Sequence, residues 1–432
     1  MKMVLDPIRD RAALDRSMPL DPSRGFRDAR GTAVIERVEA LLAPASGRQR
    51  AFRQADWLRW RNTLDMLLAN LTLAAFNRID PERFVAISFN ANDYVGTAHS
   101  ITMLARIRDG LAELELVEGQ RGYRNTRDGA VRHARRTRLR STAKLRTLFK
   151  ACGVTRGDIG WSERRDVIIL RQAESDVELE PAAVSASRNV LTELNARLSQ
   201  AQIVLPPESW ARVIKRYQAD DDKAEDRLLA GEEATQLYRI FKENWQSGGR
   251  LYGGWWINLP KVERLLLTLD GDPVIERDYA RLHPTLLFAR HGRALEHDIY
   301  KVAGYEGPEV RELGKRTFNR LINRKSFAPL RLAARGLDTA QLPAGARFSS
   351  YVAAFVEQLG PVAQWFGSGE GLRLQREDSD LAIAVLARLL DANVLALPVH
   401  DSFIVARGNE EALFKAMREA FAERYGFAPA IR

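Results

Sequence analysis

Three segments in the C-terminal half of the 432-residue chain place carboxylates, cations and amides where folding alone does not ask for them. In the first, Leu265–Leu269 runs into Asp270-Gly271-Asp272-Pro273 and returns as Val274–Tyr279. That is a hairpin pattern with Asp-Gly at the bend, and it leaves Asp278 at a strand end. His283-Pro284 then opens a helix, proline being suited to the first helical position. In the second, a helix starting near Pro308 carries Arg311, Lys315, Asn319 and Asn323 at steps of four, which makes one polar stripe, with Val310, Phe318 and Ile322 on other faces. In the third, Leu395–Val399 runs into His400-Asp401-Ser402 and continues as Phe403–Val405. A turn between apolar strands is normally Asn-Gly or Asp-Gly, so His400-Asp401 points to something other than turning. Carboxylates of this kind can hold a hard cation, and a basic stripe can hold an anion. A solvated face is the plainer account of the stripe taken alone, and a cap or turn role the plainer account of each aspartate.

Several elements must position these residues. A helix from Asp378 to Leu390, capped by Asp378 or Ser379, offers Leu381, Val385, Leu386 and Leu389 to a core. Ala182 to Gly248 reads as mostly helical, interrupted near Pro206-Pro207. Gly248-Gly249 and Gly253-Gly254 are not followed by the Gly-Lys-Ser/Thr of a phosphate loop; with Trp255 and Trp256 they predict a strand turn. Further upstream, residues 1–45 read as an arm. Ala51–Leu73 has helical apolar spacing with Phe52, Trp57 and Trp60 as anchors of a core helix.

The stretch from Ser88 to Cys152 is more informative. His99-Ser100 can cap a helix with Ile101, Leu104, Ile107, Leu111 and Leu114 on one face. Val117-Glu118-Gly119 predicts a turn, Gly122–Arg124 a short strand, Asn125–Ala134 a polar tip and Arg136–Arg140 a return strand, before Ser141 or Thr142 opens another helix. That order resembles the winged-helix DNA-binding modules. Between Arg121 and Lys150, Asp128 is the only acid among a run of arginines and lysines that includes Arg135, Arg136, Arg138 and Arg140. Such a density repels itself unless phosphates neutralise it, which makes nucleic acid the natural partner.

Composition agrees. Lys+Arg number 66 against Asp+Glu 56, a net charge of +10 and a pI near 9.8, which suits a polyanion binder better than an enzyme of small neutral substrates. At 45% hydrophobic residues the chain can build real cores. The lone Cys152 excludes an intramolecular disulfide and a cysteine-rich zinc site. The charged start and the lack of a long apolar run predict a soluble, cytoplasmic protein with no membrane partner.

Taken together, the three segments resemble a known family. Asp278-Tyr279-Ala280-Arg281-Leu282-His283 is similar to motif A of the family A DNA polymerases and the related single-subunit phage-type RNA polymerases. Arg311 and Lys315 resemble motif B, and His400-Asp401-Ser402 between apolar strands resembles motif C. Order and spacing agree over about 248–405, and Leu372-Arg373-Leu374-Gln375 echoes a primer-contact segment. The resemblance implies an α+β fold with right-hand palm, fingers and thumb behind a winged-helix-like N-terminal domain. Its divisions would be 1–45 (arm), 46–152 (DNA-binding domain), 153–247 (mostly helical linker and thumb-like region) and 248–432 (palm and fingers). It also implies two-metal phosphoryl transfer, with Mg2+ (or Mn2+ in its place) held by Asp278, Asp401 and the Tyr279 carbonyl. Arg311 and Lys315 would neutralise the triphosphate, His400 would lie near the primer end, and Arg250 and Gln375 near the duplex beside the turn carrying Trp255 and Trp256.

Two positions that police the sugar depart from the family. Where its DNA polymerases carry glutamate and an aromatic, this chain has His283 and Asn323, with Asn319 between the lysine and Asn323. Sugar preference therefore stays open: a histidine obstructs a 2′-hydroxyl, whereas asparagines hydrogen-bond it. No proofreading exonuclease is recognisable. The expected activity is a template-directed nucleotidyltransferase, a compact DNA polymerase in replication of a mobile element. Its partners would be DNA template and primer, nucleoside triphosphates and other replication proteins. An RNA polymerase or primase of the same superfamily is the alternative. A winged-helix DNA-binding replication factor with a relic palm is the reading from a different class.

Overall fold

A computed structural model describes residues 14, 17–45, 53–77, 83–94, 97–127, 130–161, 166–171, 179–218, 230–324, 342–343 and 345–432, the side chains of 44, 45, 92, 126–133, 217 and 218 apart. The architecture mixes α and β, as expected. Contacts divide the chain into two units that interleave in sequence. Unit 1 comprises 1–166, 205–234 and 258–266, and unit 2 comprises 167–204, 235–257 and 267–432. Among the described residues no helix is long and apolar enough to cross a membrane.

Unit 1 opens with β1 (Met18–Pro19) and β2 (Arg24–Phe26), then helices α1 (Ala29–Ala45) and α2 (Gln54–Ala75). Then follow β3 (Val85–Ile87), α3 (Ile101–Glu113), β4 (Val117–Gln120), β5 (Tyr123–Arg127), β6 (Ala130–Arg135), β7 (Thr137–Ser141), α4 (Ala143–Ala151) and β8 (Ile159–Trp161). One sheet has the order β1-β3-β7-β4, while β2 pairs with β8 and β5 with β6. The core gathers Leu64, Leu67, Leu68 and Leu71 of α2, Leu104, Ile107 and Leu111 of α3, and Leu145 and Phe149 of α4. The helix expected over Ala51–Leu73 is therefore present from Gln54. Trp57 is exposed, however, with its indole donating to Glu39 at 3.0 Å, and Phe52 lies outside the described residues.

Ser100 and Thr142 cap α3 and α4 as the sequence suggests. Three expectations here need correction. The described part of the stretch expected as an arm, 1–45, forms β1, β2 and α1, and puts Met18, Val34, Val38 and Leu42 into the core. Val117–Gly119 is strand rather than turn: it pairs with Leu139–Ser141, and a Cβ on Gly119 would lie 1.9 Å from the Arg138 carbonyl oxygen. The polar stretch expected as a tip is the hairpin β5–β6, whose Asp128 falls outside the described residues.

Unit 2 starts with β9 (Ile168–Arg171), α5 (Ala182–Leu198) and β10 (Ile203–Val204). It resumes with β11 (Tyr238–Lys242), β12 (Asn244–Tyr252), β13 (Thr268–Leu269), β14 (Asp272–Asp278), α6 (Leu282–Ala289) and α7 (Pro308–Asn323). It closes with α8 (Phe348–Leu359), α9 (Gly371–Asp391), β15 (Ala396–Val399), β16 (Ser402–Ala406) and α10 (Glu410–Tyr425). The helical expectation for 153–247 thus holds for α5 and for a helix at Pro207–Gln218, and fails at β8, β9, β11 and the start of β12. A sheet of order β10-β13-β14-β16-β15 carries the site, and every pairing in it is antiparallel. The Asp270-Gly271 turn between β13 and β14 has φ of 53° and 92°, and Asp270 also accepts from the Gln202 backbone at 2.7 Å.

Helix α9 packs against β12, α5, α6, α7, α10 and β15 through Leu374, Leu381, Val385, Leu386 and Leu389, all buried. It begins at Gly371, so Asp378 and Ser379 are interior helical residues and not caps. Trp255 and Trp256 are also core residues. They are 2% and 0% exposed, and the Trp256 indole donates to Pro398 in β15 at 3.1 Å, which leaves neither ring free to lie beside a template.

Candidate active site

The central strands set the two aspartates close together. Asp278 ends β14 directly opposite Ser402 of β16, and the Tyr279 amide donates to the Asp401 carbonyl at 3.2 Å. Their backbones are therefore about one strand spacing, ~4.8 Å, apart. Strands β15 and β16 are joined by only His400 and Asp401, with His400 at φ 59°, a left-handed conformation that a non-glycine residue rarely adopts. The Tyr279 ring is buried against Phe421 and its hydroxyl donates to Met417 at 2.7 Å; burial raises its pKa above the usual phenol value.

The two carboxylates live in different settings. Burial first, and then the nearby negative charge of Asp378, hold the Asp401 carboxyl above the usual aspartate range. No ion pair to Asp401 occurs among the described residues. Asp278, by contrast, is gripped by Arg432, whose Nε and Nη2 donate to its two oxygens at 2.7 and 2.9 Å. Backbone bonds in both directions between Asp278 and Arg432, at 3.0 and 3.1 Å, fix that pairing.

Asp401 opens into a cleft of about 400 Å³. The stripe of α7 forms one wall, with Arg311, Lys315, Asn319 and Asn323 all in the lining. Pro308 is the first residue of that helix, and Val310, Leu313, Phe318, Leu321 and Ile322 are buried on its other side. Gly314 permits the close approach, since a Cβ there would lie 2.5 Å from the Tyr300 carbonyl oxygen. Arg311 is tied by Asp298 at 2.6 Å; against the burial that pushes Asp298 up, that bond holds its carboxyl below the usual range. Lys315 has no partner among the described residues.

Across the cleft lie Arg250, Tyr279, His283 and Gln375. Asp278 and His400 are not in the lining: the first is turned to Arg432, and the second occupies the other turn position.

Behind Arg250 and His283 stands a residue that sequence reasoning read as a helix cap. Asp378 is 1% exposed and accepts from Arg250 Nε at 3.0 Å and from His283 Nε2 at 2.8 Å. Burial raises its pKa, but these two partners outweigh that and leave the carboxyl lowered. The 2.8 Å contact to a carboxylate assigns the ring proton to Nε2. Its signal in the sequence was weak, because its partners lie about a hundred residues away. Arg281, Asp298 and Arg432 were likewise not singled out, although all three face or border the cleft.

The basic residues of unit 1 divide. Arg136 is exposed, whereas Arg140 pairs with Glu118 at 2.7 Å over the Phe84 ring. Arg135 is half-buried with a bond to the Ala134 carbonyl at 2.9 Å. Arg138 is only 4% exposed and donates to the Arg136 carbonyl at 2.7 Å, so it is an internal strut and not a phosphate contact.

The donor set around Asp401 fits a hard divalent cation in type, being carboxylate and carbonyl oxygen, and among the described residues no cluster of three acidic, histidine or cysteine side chains suited to a metal occurs. A cation bridging both aspartates would have to displace the Arg432 guanidinium. No protein-family model matches the chain, and no curated protein matches it significantly.

Proposed function

We propose that unit 2 is a template-directed nucleotidyltransferase, with DNA synthesis on a primed template favoured over RNA synthesis or priming. One observation carries the reading. Asp401, the α7 stripe, Arg250, His283 and Gln375 come from separate stretches of sequence and converge on one cleft. In this reading the five-stranded sheet is the palm, and the basic hairpin region of unit 1 is a winged-helix-like DNA-docking module.

A pair of Mg2+ ions, when bound, would stabilise the attacking and leaving oxygens of phosphoryl transfer. Asp401 supplies a carboxylate to that site, with Asp278 once released from Arg432. Lys315, unpaired among the described residues and on the cleft wall, meets phosphate oxygens as a point charge. Arg250 and His283 are held in place by Asp378, which fixes their orientation towards nucleotide and duplex.

The deciding experiment is an incorporation matrix of four dNTPs or four NTPs, with and without primer, in Mg2+ or Mn2+. Incorporation should appear, and D401A should abolish it while leaving DNA affinity intact. Use of neither nucleotide set, or full activity in D401A, overturns the proposal. A second reading, a non-catalytic DNA-binding replication factor with a relic palm, is favoured by one contact, the Arg432 guanidinium on Asp278. Under it, D401A changes nothing.

A further inference from the structure

The cations along the cleft are not equivalent. Three of them already face a carboxylate: Arg250 meets Asp378, Arg311 meets Asp298, and Arg432 meets Asp278. Two make no ion pair among the described residues, Lys315 and Arg281. Arg281 is the less expected, because its Nε is buried and makes no hydrogen bond. A buried guanidinium nitrogen without an acceptor is costly unless an anionic oxygen arrives.

The backbone makes the same point independently. Arg281 stands between Asp278 and α6 with φ 54° and ψ 44°, the left-handed region. Glycine occupies that region without strain, and arginine does not. A strained backbone at a functional cleft is a feature that needs an explanation. Arg281 lines the same cleft as Tyr300, Arg311 and Lys315, and its charge bears on Asp298 and Tyr300.

We propose that Arg281 is a phosphate-binding residue that forms, with Lys315, the seat for the polyphosphate of the substrate, while Arg311 serves to anchor α7 to Asp298. The inference rests on the nucleotidyl-transfer reading and deepens it by moving the second phosphate contact from Arg311 to Arg281.

The test uses the full chain, Mg2+ and inorganic tripolyphosphate as the probe, with orthophosphate for comparison, measured by calorimetry beside thermal unfolding. Arg281→Gly is the informative variant because glycine relieves the backbone while removing the cation. It should bind tripolyphosphate about tenfold more weakly, the effect of one charge-assisted hydrogen bond, with orthophosphate nearly unchanged and the Tm equal or higher. Arg281→Lys should recover part of the loss. Wild-type tripolyphosphate affinity in R281G overturns the inference, as does a parallel fall of both anions together with the Tm. Lys315→Ala separates the two levels. If K315A weakens tripolyphosphate binding and R281G does not, the inference alone fails. If the wild-type protein prefers neither anion, the nucleotidyl-transfer reading falls with it.

Discussion

A carboxyl group that is desolvated and set near a second negative charge resists ionising, and Asp401 is in that position. The sign of the consequence is definite. A raised pKa in the folded state means that stability is fully present at pH below the ordinary aspartate value and is lost as pH rises through the raised value. Asp401→Asn removes that penalty, so it should stabilise the fold near neutrality. The difference from wild type should vanish in acid, as denaturant unfolding across a pH series would report. The same variant should lose Mn2+ binding, so a gain in stability with unchanged cation affinity would count against Asp401 as a ligand. At this scale the sequence was half legible. His400-Asp401 stood out because apolar strands rarely close on such residues, and the α7 stripe did reach the cleft. Asp378 was illegible, since an aspartate near a helical run looks like a cap until its long-range partners are seen.

At the scale of elements, α7 owes its position to the absence of a side chain at Gly314. Alanine is the better helix former by ~1 kcal/mol, but its Cβ would meet the Tyr300 carbonyl oxygen, a backbone atom that cannot swing aside. Overpacking costs ~1–3 kcal/mol, so sterics should win. Gly314→Ala is expected to lower the Tm and, by pushing α7 outward, to weaken phosphate binding at Lys315. An unchanged Tm would show that the helix is free to move. The start of β7 offers a sharper contrast. Arg136→Ala should reduce the salt slope of DNA binding by about 0.9 for each phosphate the arginine neutralises, whereas Arg138→Ala should leave the slope alone and destabilise unit 1. Equal slope changes in the two variants would contradict the inward orientation of Arg138. Charge density in the sequence flagged both residues alike. Position separates them: Arg136 precedes β7 and is exposed, whereas Arg138 lies within it, between Ala86 of β3 and Gln120 of β4, a pairing that the misread turn at Val117–Gly119 obscured.

For the whole molecule, reading the sequence in order suggests consecutive domains, and that is where it was least informative. Unit 1 recruits 205–234 and 258–266, and specific contacts fasten them: Glu233 pairs with Arg156 at 3.2 Å and receives Arg24 on its carbonyl, and Glu263 pairs with Arg212 at 2.8 Å. No local pattern announces such returns, because the residues involved read as ordinary surface charges. Arg24 is 6% exposed, and burial depresses its pKa to about 10. A fragment ending at residue 166 therefore strands a desolvated guanidinium without its Glu233 acceptor. Such a fragment should lack the cooperative unfolding transition of the full chain. A sharp, native-like transition in the fragment would show that the returning segments are dispensable.

The interleaving also has a consequence for biosynthesis. On a ribosome delivering ~5–20 residues per second, the N-terminal body cannot be completed until residue 266 has cleared the exit tunnel. By then two stretches belonging to its neighbour, 167–204 and 235–257, have already emerged and must wait without their main sheet. The nascent polypeptide thus carries two unfinished cores at once for several seconds, and chaperone demand should peak while the middle third of the message is being read.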